Sequence, residues 1–271
     1  LAEGSNWEAA ALAPKLQLTN LIAIVDCNRL GQSGESLHGT HLDHWADKFS
    51  AFGWTPLIID GHDLCQIVSA LSTVSNQPLV ILAKTIKGKG ISFLENKEGW
   101  HGKTLTLQEA KKARTQLGLC PASASLTLSH PSKKAHLTGR IKLPKMTHYE
   151  IGQHVATREA YGAMLAALGK NKSIIALDAD VKNSTFAEQF KTKHPSHFID
   201  CYIAEQNMIG MAVGLAARGF VPFASTFAVF ATGRAFDQVR NSICYPKLNV
   251  KIAGSHAGIT VGEDGATHQA I

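Results

Sequence analysis

The chain of 271 residues lacks the cysteine spacing of a disulfide scaffold or a zinc ribbon. Its five cysteines, Cys27, Cys65, Cys120, Cys201 and Cys244, are odd in number, scattered and never arranged as CxxC, which points to reduced thiols and a cytoplasmic setting. No uninterrupted apolar run reaches membrane-spanning length, and no charged leader with an apolar core opens the chain, so neither a membrane nor secretion is expected. Aromatic residues are scarce, and none interleave with Lys111, Lys112, Arg114, Lys133, Lys134, Arg140, Lys142 and Lys145, the basic residues that crowd one segment. The formal charge of +6 therefore reads as a solvated connector rather than a nucleic-acid groove, because single-strand binding sites set stacking rings beside their cations. Internal repeats and low-complexity stretches are also absent.

What is present is a globular composition, 45% hydrophobic and 18% charged, at a length that allows one to two domains. The first part alternates helix and strand: NWEAAALAPKL, HLDHWADKFSAFG and DLCQIVSALSTV carry helical patterns, while NLIAIVDCN, WTPLIID and PLVILAKT are short apolar runs. Buried strands between helices imply a parallel sheet covered on both faces. From 119 to 150 the sequence is rich in Ser, Pro, Thr and Lys without sustained period, and reads as a linker. Alternation restarts with TREAYGAMLAALG, TFAEQFKTKH, EQNMIGMAVGLAARG and GRAFDQVRNSICY as helices, and SIIALDAD, HFIDCYIA, FVPFAST and NVKIAGS as strands. The expected fold is thus α/β, two doubly wound parallel-sheet units spanning 1–118 and 151–271 and joined by the linker.

Open α/β sheets hold ligands outside the carboxyl ends of their strands. Polar residues gather there: Asp178, Asp180 and Ser184 after one strand, Glu205 after another, Ser225 and Thr226 on a third, Ser255 and His256 after a fourth. In the first unit Asp26 and Asn28, Asp60 and His62, and Lys84 and Lys87 occupy the equivalent rim. Glu205 stands out, since it sits where a strand hands over to an almost wholly apolar helix. A poorly solvated carboxyl keeps its proton more readily and can serve as an acid near neutral pH. The opposite reading is a carboxylate held charged by free amides and the helix dipole. His38, His41 and His44 have a spacing expected to spread them round a helix, which argues against a metal site.

The strings EGSNWEA, NRLGQSG, AKTIKGKGI, WHGK, ATREAYG, LDADVKNST, CYIAEQNM, VPFASTFAVF, RAFDQVR and GSHAGITVGEDGATHQ, in this order and spacing, resemble the transketolase family of thiamine diphosphate enzymes along the whole chain apart from the linker. The opening resembles the end of that family's metal and diphosphate motif without its Gly-Asp-Gly, so the sequence is expected to be an internal fragment with both units truncated.

The resemblance implies transfer of a two-carbon ketol unit from a ketose phosphate to an aldose phosphate through a thiamine diphosphate-bound dihydroxyethyl intermediate. It also implies Mg2+ (or Ca2+), ligated by the Asn28 amide oxygen and the Leu30 carbonyl, and a homodimer whose active sites lie at the subunit interface. Glu205 would hydrogen-bond the cofactor's pyrimidine and favour its imino form. Phe227 and Phe230 would wall that ring, although both also read as core residues of an apolar loop. Lys87, His101 and His268 match positions near the cofactor, with Lys103 close by. His101 and His256 match histidines that bind donor oxygens and move protons, Asp264 a carboxylate that reads a substrate hydroxyl, and Arg158 and Ser184 a phosphate clamp. Glu3 and Glu8 match carboxylates near the dimer interface. Two alternatives share parts of this pattern: a 1-deoxyxylulose-5-phosphate synthase-like enzyme, through AEQ and the DGATH turn, and a non-catalytic transketolase-like subunit.

Overall fold

The computed structural model describes residues 1–118 and 141–271, so Cys120, Lys133, Lys134 and Arg140 and most of the expected linker lie outside the described residues. The chain divides into two compact units, 1–129 and 130–271.

The first unit orders its elements as α1 (Ser5–Lys15), β1 (Ile22–Cys27), α2 (Leu42–Ala51), β2 (Thr55–Asp60), α3 (Leu64–Leu71), β3 (Leu79–Lys84) and α4 (Leu107–Leu117). Its strands form a parallel sheet in the order β1-β3-β2. Alternation along β3 sends Val80 and Leu82 into a core with Ala10 and Ala13 of α1 and Trp45 and Phe49 of α2. The expectation that every strand is covered on both faces is corrected for this unit. Only β3 is buried along its apolar length, while Ile24 of β1 and Ile58 of β2 are 64% and 47% exposed. The β1 and β3 runs are equally apolar, and the sheet order makes β1 and β2 the edges. Helix α4, which periodicity did not single out, starts with a capping box in which the Thr106 hydroxyl accepts the Glu109 N–H while the Glu109 carboxylate accepts the Thr106 N–H. It carries Lys111, Lys112 and Arg114, so these cations belong to a helix.

The second unit runs α5 (Thr157–Leu168), β4 (Ile174–Asp178), α6 (Lys182–Thr185), α7 (Glu188–Lys193), β5 (Phe198–Asp200), α8 (Glu205–Ala217), β6 (Val221–Phe227), α9 (Phe236–Gln238) and β7 (Lys251–Ser255). The sheet is parallel in the order β5-β4-β6-β7. Here both faces are covered. Ile174 and Ala176 pack with Leu165 and Phe190 on one side, and Ile175 and Leu177 with Met208, Ile209 and Ala212 on the other. Each fully buried aliphatic side chain of this kind contributes about 1.5–3 kcal/mol. Asn171 exchanges hydrogen bonds with the backbone of Lys142, so that stretch of backbone is docked on this unit while the residue stays exposed.

Three element boundaries differ from the sequence pattern. The helix expected over 185–194 is broken at Phe186, which adopts φ +62° between α6 and α7. The helix expected over 233–245 is two π-helical turns, Phe230–Arg234 and Val239–Cys244, flanking one α turn. The strand expected over 197–204 shortens to β5, and Tyr202 follows with φ +55°. The end of α8 is as its sequence indicates: Gly219 at φ +91° lets its own N–H reach Ala216 O and the Phe220 N–H reach Leu215 O, closing a Schellman cap.

Among the described residues, no helix is long and apolar enough to cross a membrane. Cys27 and Cys201 are buried and Cys65 and Cys244 exposed, all as free thiols.

Candidate active site

Glu205 is the first residue of α8, placed there by a chain that leaves β5 through Tyr202 in the left-handed region. Its side chain is 1% exposed. Its partner is a guanidinium, which neither reading of this carboxyl included. Nη1 of Arg234 donates to both carboxylate oxygens, at 2.8 and 2.7 Å. The guanidinium carbon of Arg234 also stands 4.6 Å from the centroid of the Phe230 ring.

The aromatic groups continue from there. Phe227, the last residue of β6, and Phe230 lie nearly parallel, with centroids 6.0 Å apart and an interplanar angle of 14°. The His268 ring meets both edge-on, at 6.2 and 5.2 Å. The His256 ring lies 4.5 Å from Phe227.

His256 follows β7 with φ +56°, a conformation that aims its ring back over the sheet end. Its Nε2 is 2.8 Å from Nη1 of Arg158, and its Nδ1 2.9 Å from the Ser255 hydroxyl. A guanidinium only donates, so Nε2 is the acceptor, the ring is neutral and Nδ1 carries the proton. Partial burial, helped by the Arg158 charge, pulls the His256 imidazole below its ordinary range, against an opposing pull from Asp264. Arg158 in turn donates to the Ser184 carbonyl at 3.2 Å. Ser184 thus meets Arg158 through its backbone carbonyl. Arg158, Tyr161, Thr185, Ser255 and His256 line a cavity of about 630 Å³.

Under this cavity lies a buried polar layer. Asp178 accepts the Val181 N–H at 2.7 Å and the Thr185 hydroxyl at 2.8 Å. Burial pushes its carboxyl up to about 6, against those two hydrogen bonds. The Tyr161 hydroxyl lies 2.7 Å from that of Ser225, and burial raises the phenol to about 12. Neither Tyr161 nor Arg234 was singled out from sequence; Tyr161 reads as one more apolar-face residue of α5, and Arg234 as a helix surface cation. Both nevertheless lie inside motif strings, Tyr161 in ATREAYG and Arg234 at the start of RAFDQVR.

The first unit carries its own rim. The Asn28 amide oxygen accepts the Leu30 N–H at 3.0 Å, an Asx turn that leaves one lone pair on that oxygen. The Asn28 amide donates to Asp26 at 3.2 Å, and the Thr85 hydroxyl bonds the same carboxylate. Lys87 is half-buried, and its carbonyl accepts the N–H of Asn96, the residue whose side chain binds Arg29. His101 is exposed, and Lys103 covers the Trp100 ring at 4.3 Å. Asp60, His62, Lys84 and Lys89 border a separate cavity of about 400 Å³. Glu3 accepts the Ser5 hydroxyl just before α1, and Glu8 lies in its first turn.

His38, His41 and His44 are not spread round a helix, because α2 begins only at Leu42. His38 and His44 stack at 5.3 Å, beside Trp45, and Lys48 bonds His38. Among the described residues, no group of three or more His, Cys, Asp or Glu side chains is disposed to hold a metal ion.

Residues 1–134 match the thiamine diphosphate binding domain of transketolase, and residues 153–271 its pyrimidine binding domain. Human transketolase is 45% identical over 276 aligned positions, which cover 100% of this chain and 44% of that protein. Transketolase-like protein 2 of Mus musculus is 42% identical over 292 positions, again 100% of this chain and 44% of that protein. The solved transketolase of Campylobacter jejuni superposes with a TM-score of 0.79 at 26% identity, covering 99% of this chain and 48% of that one. A transketolase of Pichia stipitis, solved with sedoheptulose-7-phosphate, shares the fold with a TM-score of 0.82 at 23% identity, covering 100% of this chain and 48% of that one. The chain spans about half the length of the curated relatives it matches. With both domain matches in chain order and a shared parallel α/β architecture, the chain belongs to the transketolase family.

Proposed function

We propose that the protein carrying this chain is a transketolase, moving a two-carbon ketol unit from a ketose phosphate to an aldose phosphate. The observation that carries this reading is a buried carboxylate, Glu205, set at a sheet rim beside the parallel Phe227 and Phe230 rings. Such a site suits a flat heterocycle with N–H and ring-nitrogen groups. Each Glu205 oxygen is an acceptor for such N–H groups. Glu205, Phe227, Phe230 and His268 fit the pyrimidine end of thiamine diphosphate, and Lys87 and His101 of a second copy would lie near the same cofactor in the homodimer. Asn28 and the Leu30 carbonyl supply two hard oxygen donors of the six that Mg2+ prefers, the rest being left to phosphate, water and other residues. When bound, thiamine diphosphate provides the nucleophilic carbon and electron sink for ketol transfer.

The chain's own residues supply binding and proton placement. Arg158 spends both Nη1 hydrogens on Ser184 O and His256 Nε2, and three N–H bonds of its fork remain for a phosphate. His256, neutral, can take up a proton at Nε2 once the Arg158 bond there is released. Asp264, which bears electrostatically on His256, would read a substrate hydroxyl, the role that the family resemblance gives it. Active sites shared between two copies in a homodimer complete the reading.

The test uses the full-length protein with thiamine diphosphate and Mg2+. Turnover of xylulose 5-phosphate with ribose 5-phosphate, and its loss by about a hundredfold or more in Glu205→Gln, is the expected result. Turnover of pyruvate with glyceraldehyde 3-phosphate instead, or of neither pair, would overturn it.

A further inference from the structure

Arg234 covers both groups that the proposed function assigns to the cofactor's pyrimidine. Its Nη1 bonds the two oxygens of Glu205 at 2.7 and 2.8 Å, and its guanidinium lies over the face of Phe230 at 4.6 Å. The guanidinium is a planar cation with N–H donors, stacked on an aromatic face and bonded to a buried carboxylate. In shape, charge and hydrogen-bond polarity it imitates a protonated aminopyrimidine.

The setting lets it move. The Arg234 side chain is 43% exposed while that of Glu205 is 1% exposed, so the pair has one fixed and one solvent-facing partner. Arg234 closes the π-helical turn Phe230–Arg234, and its carbonyl is tied to the Gln206 side chain at 3.2 Å. Its backbone is thus anchored to the first turn of α8, and only the long, half-exposed side chain has to swing for the site to open. A buried carboxylate without a cation is costly, so some partner has to be present before the ring arrives.

We infer that Arg234 is a placeholder for the cofactor ring: it pairs Glu205 and covers Phe230 until thiamine diphosphate displaces it. This rests on the cofactor reading above. The equilibrium cost is simple. If the uncovered site is populated at about one part in ten, apparent affinity is reduced about tenfold, and removing the placeholder restores it.

The experiment measures thiamine diphosphate binding, with Mg2+, by calorimetry on the full-length protein and on Arg234→Gln. Arg234→Lys is the second variant, since it keeps a cation for Glu205 but gives up the planar stack, which protects the test if Arg234→Gln does not fold. Tighter binding by about three- to tenfold in either variant, with a lower melting temperature of the cofactor-free protein, is the expected result. Equal or weaker binding in the folded variants, with the wild type binding normally, would overturn the placeholder and leave the cofactor reading standing. Absence of binding in the wild type would overturn both.

Discussion

Replacing Asp178 by asparagine removes one buried proton equilibrium and keeps the side chain's shape. The native carboxyl is 0% exposed and accepts hydrogen bonds from the Val181 N–H and the Thr185 hydroxyl. Burial raises it from 3.8 to about 6, so the folded chain holds this proton more tightly than the unfolded chain does. The sign follows from linkage. The stabilisation is fully present below about 3.8 and is lost as pH rises through about 6. From about pH 7.5 down to about pH 5 the wild type should gain about 1.4 kcal/mol relative to Asp178→Asn, the other titrating groups being common to both proteins. Tryptophan fluorescence is the wrong probe, because Trp7, Trp45, Trp54 and Trp100 all lie in the first unit. Amide exchange at Cys201, whose N–H bonds Asp178 O at 2.9 Å, and at Val221, bonded to Ser173 O at 2.8 Å, reports on the right sheet. A difference between the two proteins that stays flat over that pH range would refute the reasoning.

Three further outcomes are expected. Gly162→Ala puts a Cβ 2.5 Å from both the Cβ and the carbonyl oxygen of Phe186, whose left-handed backbone resists a shift, so thermal melts should show a loss of about 1–3 kcal/mol. An unchanged melting temperature would contradict that packing. Arg158→Leu removes a cation that depresses His256, and the His256 titration followed by NMR should move up toward the ordinary imidazole value while staying depressed by burial. The His256 contribution to stability is present above the ordinary imidazole range and lost as pH falls through its lowered native value, so it too should shrink in this variant. Thr106→Ala deletes the cap of α4 and should cost about 1 kcal/mol, read as faster exchange at Glu109 and Ala110 and not in the second unit.

The sequence by itself determined the alternation of strands and helices in both units, the Schellman end of α8 at Gly219 and the gathering of Glu205, Ser225, Ser255 and His256 along one sheet rim. The alternation and the cap depend on side chains within a few residues of one another, so periodicity and capping signals report them directly, and the rim follows because parallel strands all end on one side. Only the tertiary structure decided that Arg234 pairs with Glu205, 29 residues away, that Tyr161 meets Ser225 across 64 residues and that His256 accepts from Arg158 across 98. It also decided that β1 and β2 are edges, that Phe186 splits a helix and that His38 and His44 stack. Those outcomes depend on which surfaces the folded chain brings face to face, and a run of apolar letters is the same whether its neighbour in space is another strand, a guanidinium or water.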